Sequence, residues 1–451
     1  MRIGITILAK VVMLYYILRL IVSIGIRLFY KQIRVKNREY LDEKGPKIII
    51  ANHPNTIMDA WILGYICNRR IYYMAKGTFF TSPLKRWVLN GLGMIPVNRK
   101  VDGISSGVSN EDSFEACYRI LEEGKILVIF PEGSSFQERL LRKLKSGTAR
   151  IAIQTELRNE GGLGLKIIPI GLNYMHPEKF RSSVLATIGE PISPQPYLDE
   201  FKTDSLKAAR KLTEKFRIGL SRLLVRSEQS EEEELVEGIV GIISSDYIES
   251  DNKGVEHDVE IMRSVFDQMN LIRISHPWKI NEIKMLVESI NWQIENLNIK
   301  ADFLDRKYRS RMFKRQLVQS FFFLIIGCPV FFYGLIHNFV QFKVTDLLVV
   351  RLIKEVEYTA PILVLLGLIF YPLVYVAFLM GFNCIFEPEY WMKWVYFCSM
   401  PLSGLGAYYY YQYYKHILLK RKFIFLMRKD KTGIETLKNE RESLKKLVFE
   451  N

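Results

Sequence analysis

Three long apolar stretches near the carboxyl end constrain this chain more than any other feature of its sequence. They cover residues 317–341, 358–386 and 394–414. Each is long enough to cross about 30 Å of hydrocarbon as an α-helix. Burial as three core helices of a soluble protein is the alternative, and the length of the stretches argues against it. The sequence therefore predicts transmembrane helices within residues 316–415.

The basic residues that flank these stretches do not fit three full crossings. Both flanks favour the cytoplasmic side, and three crossings place them on opposite sides. Either one flank opposes this tendency, or one stretch is a re-entrant hairpin. The sequence Gly327-Cys328-Pro329 makes the first stretch the candidate hairpin. The flanking residues are Arg306, Lys307, Arg309, Arg311, Lys314 and Arg315 before the first stretch, and Lys415, Lys420, Arg421 and Lys422 after the third.

An apolar segment also lies at the amino end, over residues 3–30, and is interrupted by Lys10, Arg19 and Arg27. No small-residue cleavage site follows it, which argues against a removable signal peptide. The pattern favours a helix that lies in the membrane interface, with its basic side chains reaching lipid phosphates. A single crossing is the alternative. We assign residues 1–31 to this membrane-associated helix.

Between these apolar parts, residues 46–225 alternate short apolar runs with helical patterns. The runs are nearly continuous in apolar residues, which predicts strands buried on both faces. Alternation of this kind predicts an α/β layered domain with a mixed sheet flanked by helices, over residues 32–226. The predicted strands are 47–52, 71–75, 125–130, 166–172 and 184–189, and the predicted helices are 57–67, 110–123, 146–157 and 203–225.

The remaining segments are polar and charged. An acidic run, SEQSEEEE over residues 227–234, indicates a domain boundary. Residues 235–310 then predict two or more amphipathic helices with a break at His276-Pro277. We divide this part into a helical region, 227–315, and a basic tail, 416–451. No chemistry is assigned to either segment.

The net charge and the cysteines limit the classes of partner and site that this chain is expected to have. The net charge is +15, which favours anionic lipid or a phosphorylated substrate, and no nucleic-acid-binding module is present in the sequence. The five cysteines form no CxxC pair. They therefore indicate neither a disulfide framework nor a metal site.

The first chemical motif is Asn52-His53-Pro54-Asn55-Thr56-Ile57-Met58-Asp59, directly after the predicted strand 47–52. Residues at the carboxyl end of a strand line crevices in α/β sheets. His53 could take a proton from a hydroxyl there, while Asp59 accepts a hydrogen bond from the other ring nitrogen. Taken alone, the motif is better explained by a capping histidine and a solvated aspartate.

Three further motifs follow in order. Arg99, in GMIPVNR, offers a planar fork to a phosphate, although an isolated arginine is usually a surface residue. Glu132-Gly133, in FPEGSS, ends a buried strand where backbone and carboxylate could meet a ligand. The basic run KLKSGTAR surrounds a predicted helix start and suits anion binding. Its candidate residues are Lys143, Lys145 and Arg150, and a last motif, IIPIGL, reads as a buried strand.

In this order and spacing, the motifs resemble the four-block signature of the PlsC-type glycerolipid acyltransferases, over roughly residues 46–225. The resemblance implies that His53 is the catalytic base and that Asp59 orients it. It implies phosphate binding by Arg99 and glycerol phosphate binding by Glu132 and Gly133. The fourth block, around Pro169, is implied to serve acyl-donor binding or packing.

Two departures refine the resemblance. Five residues rather than four separate His53 from Asp59, which is similar to a subgroup related to glycerol-3-phosphate and dihydroxyacetone-phosphate acyltransferases. Ser134-Ser135 replaces the common Thr-Arg after Gly133, so Lys143, Lys145 or Arg150 would supply the phosphate contact.

The resemblance implies an O-acyltransferase of phospholipid biosynthesis at a membrane, with its active site facing the cytoplasm. The co-substrate would be acyl-CoA or acyl carrier protein, without a further cofactor. The acceptor would be glycerol 3-phosphate or dihydroxyacetone phosphate. Lysophosphatidate (1-acylglycerol 3-phosphate) is the alternative acceptor, and a non-catalytic membrane scaffold is a remote alternative.

Overall fold

The computed structural model describes residues 2–97, 110–226, 231–243, 254–304 and 310–450. The chain forms two compact units. The first contains Met1–Glu228 together with Glu355–Val364, and the second contains Gln229–Lys354 together with Leu365–Asn451.

A seven-stranded mixed sheet forms the centre of the first unit, in the order β1-β7-β6-β2-β5-β3-β4. Neighbouring strands are parallel except for β6 and β7, which are antiparallel. This confirms the predicted α/β class with a mixed sheet. The strands are β1 (Gln32–Lys36), β2 (Lys47–Ala51), β3 (Ile71–Lys76), β4 (Met94–Val97), β5 (Ile126–Ile129), β6 (Lys166–Tyr174) and β7 (Ser183–Ile188).

Helices flank this sheet, and two of them have polar caps that fix their starts. The Ser82 side chain accepts a hydrogen bond from the Lys85 amide, and Asp204 does the same for Lys207. Both caps satisfy amide groups that have no partner within the helix. The helices are α1 (Arg2–Phe29), α2 (Glu39–Asp42), α3 (Thr56–Ile66), α4 (Pro83–Gly91), α5 (Asn110–Glu122), α6 (Gly147–Arg158), α7 (Leu198–Thr203) and α8 (Ser205–Leu223).

Strands β2 and β5 carry the core, because all their residues are buried. Ile48 and Ile50 pack into an apolar cluster that includes Leu127, Ala152 and Phe216. Branched side chains that cover both faces of a strand suit a sheet between two helical layers. The central strands therefore hold the loops at their carboxyl ends in a fixed frame.

Helix α1 presents an apolar face to the surface, with Leu20 63% and Ile24 50% exposed. Two of its arginines have polar partners within the first unit. Arg19 donates to the Cys67 carbonyl, and Arg27 donates to the Tyr65 hydroxyl over 2.7 Å. The contact of the basic side chains with lipid phosphates stays a prediction.

The second unit is helical. The predicted break at His276-Pro277 is confirmed, since α10 ends at Ser275 and α11 begins at Lys279. The helices are α9 (Glu231–Ile243), α10 (Val255–Ser275), α11 (Lys279–Leu297), α12 (Ser310–Leu352), α14 (Tyr390–Lys429) and α15 (Lys431–Phe449), together with most of α13 (Thr359–Phe386).

Two helices of the described part of the chain are long and apolar enough to cross a membrane, over Arg315–Leu352 and Val356–Phe386. The predicted crossing at 394–414 does not meet this criterion, because the tyrosine-rich sequence within α14 lowers its hydropathy. The candidate hairpin at Gly327-Cys328-Pro329 is also wrong, since α12 continues through Pro329. A proline inside a long apolar helix removes one donor without ending the helix.

Candidate active site

The first block of the sequence places an imidazole against a carboxylate. His53 follows β2, and Asp59 lies in the first turn of α3. The Nδ1 atom of His53 is 2.9 Å from Asp59 Oδ2. Because a carboxylate accepts this bond, it favours the tautomer with the proton on Nδ1 and leaves the lone pair on Nε2.

Asp59 is held by two other donors. The Asn55 amide donates to Oδ2 over 2.8 Å, and the Tyr174 hydroxyl donates to Oδ1 over 2.6 Å. The carboxylate is fully buried, so these bonds offset the loss of its hydration. Burial and the charge of Asp59 raise the pKa of Tyr174 well above its usual value, which keeps the phenol a donor.

A second layer of polar groups surrounds Asn55. Its side-chain amide donates to the Tyr30 hydroxyl over 3.0 Å and to the Pro177 carbonyl over 3.1 Å. Burial raises the pKa of Tyr30 well above its usual value. The block is therefore tied to the end of α1 and to the loop after β6 through neutral groups.

Thr56 accommodates the five-residue spacing between His53 and Asp59. Its φ is 43°, in the left-handed region that β-branched residues rarely adopt. Such a conformation costs about 1–3 kcal/mol and persists only where its surroundings enforce it. The Thr56 amide donates to Ser135 Oγ over 3.0 Å, which links the first block to the third. The left-handed turn at Thr56 thus lies within the five residues between His53 and Asp59, and Asp59 still faces His53.

An aromatic ring also packs against one face of the His53 imidazole. The ring of Phe130 stacks on His53 with centroids 3.9 Å apart and an interplanar angle of 8°. Phe130 follows β5, which is parallel to β2 with Ile50 opposite Ile129. Parallel neighbours end at the same edge of a sheet, which explains why the two motifs meet.

Glu132 binds backbone groups of the site. Its Oε1 accepts from the His53 amide over 3.0 Å, and its Oε2 accepts from the Arg142 amide over 3.2 Å. Burial raises the pKa of this carboxyl above its usual value. Glu132 therefore positions the His53 backbone, a role that we did not predict from the sequence.

Gly133 and Lys145 meet directly. The backbone of Gly133 has a φ of 74°, and a Cβ at this position would overlap the Lys145 side chain. The Lys145 amide also donates to the Pro131 carbonyl over 2.8 Å. The predicted Glu-Gly turn thus brings a lysine of the basic run to the third block.

Lys143, Lys145 and Arg150 are all exposed. Arg150 also lies near enough to Tyr118 of α5 to act on its phenol. Arg99 lies outside the described residues. Of the predicted phosphate-binding side chains, the structure therefore brings Lys145 to the third block.

The fourth block packs against other elements of the first unit. A Cβ on Gly171 would overlap the backbone of Leu223 at the end of α8, so the glycine permits a close approach. Pro169 lies against Gly189 and Gly219. These packing contacts of the fourth block support the sheet.

Sequence reasoning missed Tyr174, Phe130, Ser135 and Tyr30. Phe130 and Tyr174 stand at or just beyond the ends of strands that pair with β2. Phe130 and Ser135 also belong to the FPEGSS motif, although their contacts with the first block were not predicted. Nothing in the local sequence of Tyr30 marks it.

Comparison with known proteins finds similarity to acyltransferases. Residues 32–173 match the model of the Acyltransferase family. The chain is 26% identical over 159 residues to the chloroplastic 1-acyl-sn-glycerol-3-phosphate acyltransferase of Arabidopsis thaliana, covering 35% of this chain and 40% of that protein. It is 35% identical over 79 residues to glycerol-3-phosphate O-acyltransferase 1 of Saccharomyces cerevisiae, covering 18% of this chain and 10% of that protein. The chain thus spans less than half the length of these two relatives.

Among solved structures, the chain is similar to the crystal structure of the 1-acyl-sn-glycerophosphate acyltransferase PlsC from Thermotoga maritima. The sequence identity is 19%, and the TM-score is 0.33. The match covers 46% of this chain and 80% of that chain.

Proposed function

We propose that this chain, in which residues 32–173 form a PlsC-type acyltransferase domain, transfers a fatty acyl chain to a hydroxyl of glycerol 3-phosphate or dihydroxyacetone phosphate. One observation carries the proposal. His53 Nδ1 lies 2.9 Å from the fully buried carboxylate of Asp59. A histidine held in this way presents Nε2 as a general base.

In the proposed reaction, His53 generates the nucleophile. The acceptor hydroxyl gives its proton to Nε2 as its oxygen attacks the carbonyl carbon of the thioester. The imidazolium that forms is stabilised by Asp59, whose own charge is held by Tyr174 and the Asn55 amide. Stacking on Phe130 keeps the ring plane fixed during the transfer.

The acyl group then moves without a covalent enzyme intermediate. A carbon–oxygen bond forms and the carbonyl becomes a tetrahedral oxyanion. When the oxyanion collapses, the carbon–sulfur bond breaks and the thiolate leaves. Because a simple thiol has a pKa of about 8.5, the leaving group needs little acid assistance. The thiolate takes the proton from His53 and restores the neutral base.

Cations near the third block support a phosphorylated acceptor. Lys145 lies over Gly133, and Lys143 and Arg150 belong to the same basic run. We propose that Lys145 binds the acceptor phosphate and that Arg99 adds a second contact. A cation placed at this turn favours a charged phosphate over neutral glycerol.

The membrane assignment is part of the proposal. Two apolar helices are long enough to cross a bilayer, and α1 exposes an apolar face. An acyl product partitions into lipid, so synthesis at the surface shortens its path. We propose that the enzyme is bound to the membrane with His53 on the cytoplasmic side, and that the donor is acyl-CoA or acyl carrier protein.

Lysophosphatidate is the second candidate acceptor. The segment matched to the Arabidopsis relative, 159 residues, is about twice the 79 residues matched to the yeast glycerol-3-phosphate enzyme. In this case the chemistry at His53 is unchanged, and the acceptor site must also take an acyl chain. The two candidates differ only in the acceptor.

An acceptor panel tests the proposal. Purified protein in detergent is offered labelled acyl-CoA or acyl carrier protein with glycerol 3-phosphate, dihydroxyacetone phosphate or lysophosphatidate. We expect turnover with one of the first two acceptors and its loss in His53→Ala. The matched control, His276→Ala, lies in the second unit and should leave turnover unchanged. Turnover with lysophosphatidate alone selects the second candidate, and no turnover with any acceptor contradicts the proposal.

A further inference from the structure

The segment between the two apolar helices contributes to the first unit. Glu355–Val364 belongs to that unit, although it lies in sequence between α12 and α13. It forms a short 3-10 turn, Val356–Tyr358, followed by the first residues of α13. Ala360 is fully buried and Val364 is 6% exposed, so this segment is packed in place.

The turn contacts the start of the active-site helix. Thr56 Oγ1 donates a hydrogen bond to the carbonyl oxygen of Glu357 over 3.0 Å, across 301 positions of sequence. Thr56 is 5% exposed, so water competes little for this bond. The contact is made to the backbone of the turn and therefore depends on the fold of the turn.

Thr56 is a residue that needs such support. Its φ of 43° is unfavourable for a branched side chain. Two anchors hold it, because its amide donates to Ser135 Oγ and its hydroxyl donates to Glu357. A glycine would adopt this φ without strain, but it would lack the hydroxyl that reaches the turn.

The position of Thr56 connects the turn to the catalytic pair. Thr56 stands three residues after His53 and three before Asp59. The neighbouring Asn55 amide donates to Asp59 Oδ2, and the Met58 amide donates to the Asn55 carbonyl. A shift of Thr56 therefore moves the turn that sets the distance between the imidazole and the carboxylate. A displacement of about 1 Å in such a site lowers the rate by about 100-fold.

We propose that the Val356–Tyr358 turn is a positioning element of the active site, and that Thr56 is the positioning residue through which it acts. The segment that joins the two apolar helices thus sets the geometry of the His53–Asp59 pair. The inference rests on the proposed acyl transfer for its kinetic readout, and a second readout below does not depend on turnover.

Substitutions in the full chain test this inference. Thr56→Val keeps the branched shape and removes the hydroxyl, whereas Thr56→Ser keeps the hydroxyl. We expect Thr56→Val to lower kcat by about tenfold or more with little change in the KM of the acyl donor, and Thr56→Ser to retain most of the activity. The control is Thr213→Val in α8, where the hydroxyl donates to the Ala209 carbonyl over 2.7 Å far along the chain from the site. It should leave kcat unchanged.

The second readout is the rate at which diethyl pyrocarbonate modifies His53, followed by mass spectrometry. Asp59→Asn defines the direction of change when the pair is disturbed. We expect Thr56→Val to shift the rate in that direction, and Thr56→Ser and Thr213→Val to match the wild type. Replacing Val356, Glu357 and Tyr358 by glycine should reproduce the shift with Thr56 intact, and this variant decides the question if Thr56→Val does not fold.

The outcomes separate the two proposals. If the wild type has no acyltransferase turnover, the proposed function fails, and the His53 modification rates still test the positioning role. If Thr56→Val and the glycine turn both keep wild-type kcat and wild-type His53 reactivity, the positioning role is overturned.

Discussion

The hydroxyl of Tyr174 lies 2.6 Å from Asp59 Oδ1, and both side chains are almost completely buried. Tyr174 ends β6, whereas Asp59 belongs to α3, so the bond ties this carboxylate to the sheet. The carboxylate thus has a fixed direction before any substrate arrives.

Removal of this donor should destabilise the protein and slow the reaction. In Tyr174→Phe, Oδ1 loses its phenol partner while the ring still fills its space. We expect a loss of about 1–3 kcal/mol in the free energy of unfolding, because a buried acceptor is left without its donor. The melting temperature in detergent and kcat measure the two effects. A control is Tyr197→Phe, a partly exposed tyrosine of the same unit. Equal changes in melting temperature and in kcat in the two variants would contradict the role of Tyr174.

A side chain at Gly133 should have two effects that can be separated. Gly133→Ala adds a Cβ at positive φ and also overlaps Lys145. Gly124 has a similar φ of 70° with open space around the added atom. We expect Gly124→Ala to show only the strain of about 1 kcal/mol, and Gly133→Ala to raise the KM of the acceptor as well. The measurements are the melting temperature and the KM of the acceptor. If Gly133→Ala and Gly124→Ala changed the melting temperature by the same amount and the KM of the acceptor by the same factor, the result would argue against a role of the Lys145 contact.

The stability of the fold should depend on pH through Glu132. Burial raises the pKa of this carboxyl in the folded state above its unfolded value. The contribution of Glu132 to the free energy of unfolding is therefore complete below the unfolded pKa of about 4.3. It is lost as the pH rises through the pKa of this carboxyl in the folded state. Glutamine does not titrate, so the melting temperature of the wild type relative to Glu132→Gln should fall as the pH rises from about 4 to about 8.

Glu214 provides the opposite sign for comparison. A hydrogen bond from Arg217 lowers the pKa of this exposed carboxyl. The melting temperature of the wild type should therefore rise slightly relative to that of Glu214→Gln as the pH rises. A rise of the wild type relative to Glu132→Gln over the same range would contradict the burial of Glu132.

Local patterns predicted the central part of the fold. The apolar run KIIIA predicted a buried strand, and β2 covers Lys47–Ala51 with all its residues buried. The start of α3 and the break at His276 were also predicted, since each depends on residues that are adjacent in sequence. Strands β1 and β4 were not predicted because they are short edge strands with mixed or interrupted patterns.

Contacts between distant segments could not be predicted. Ser135 and Glu357 reach Thr56 across 79 and 301 positions, and no local pattern carries that information. Pro329 misled us for a related reason, since the surroundings of α12 decide whether a proline ends a helix. The roles of Arg99, Lys143 and Arg150 in substrate binding stay predictions.

The turnover number of Asp59→Asn tests the central claim most directly. An asparagine keeps the shape of the side chain but offers the imidazole an amide that can stabilise the wrong tautomer and cannot stabilise its charged form. The control is Asp199→Asn, whose side chain is 97% exposed. We predict a loss of kcat of about 100-fold to 10,000-fold in Asp59→Asn, with an intact fold and an unchanged control. A kcat within about threefold of the wild type would contradict the account.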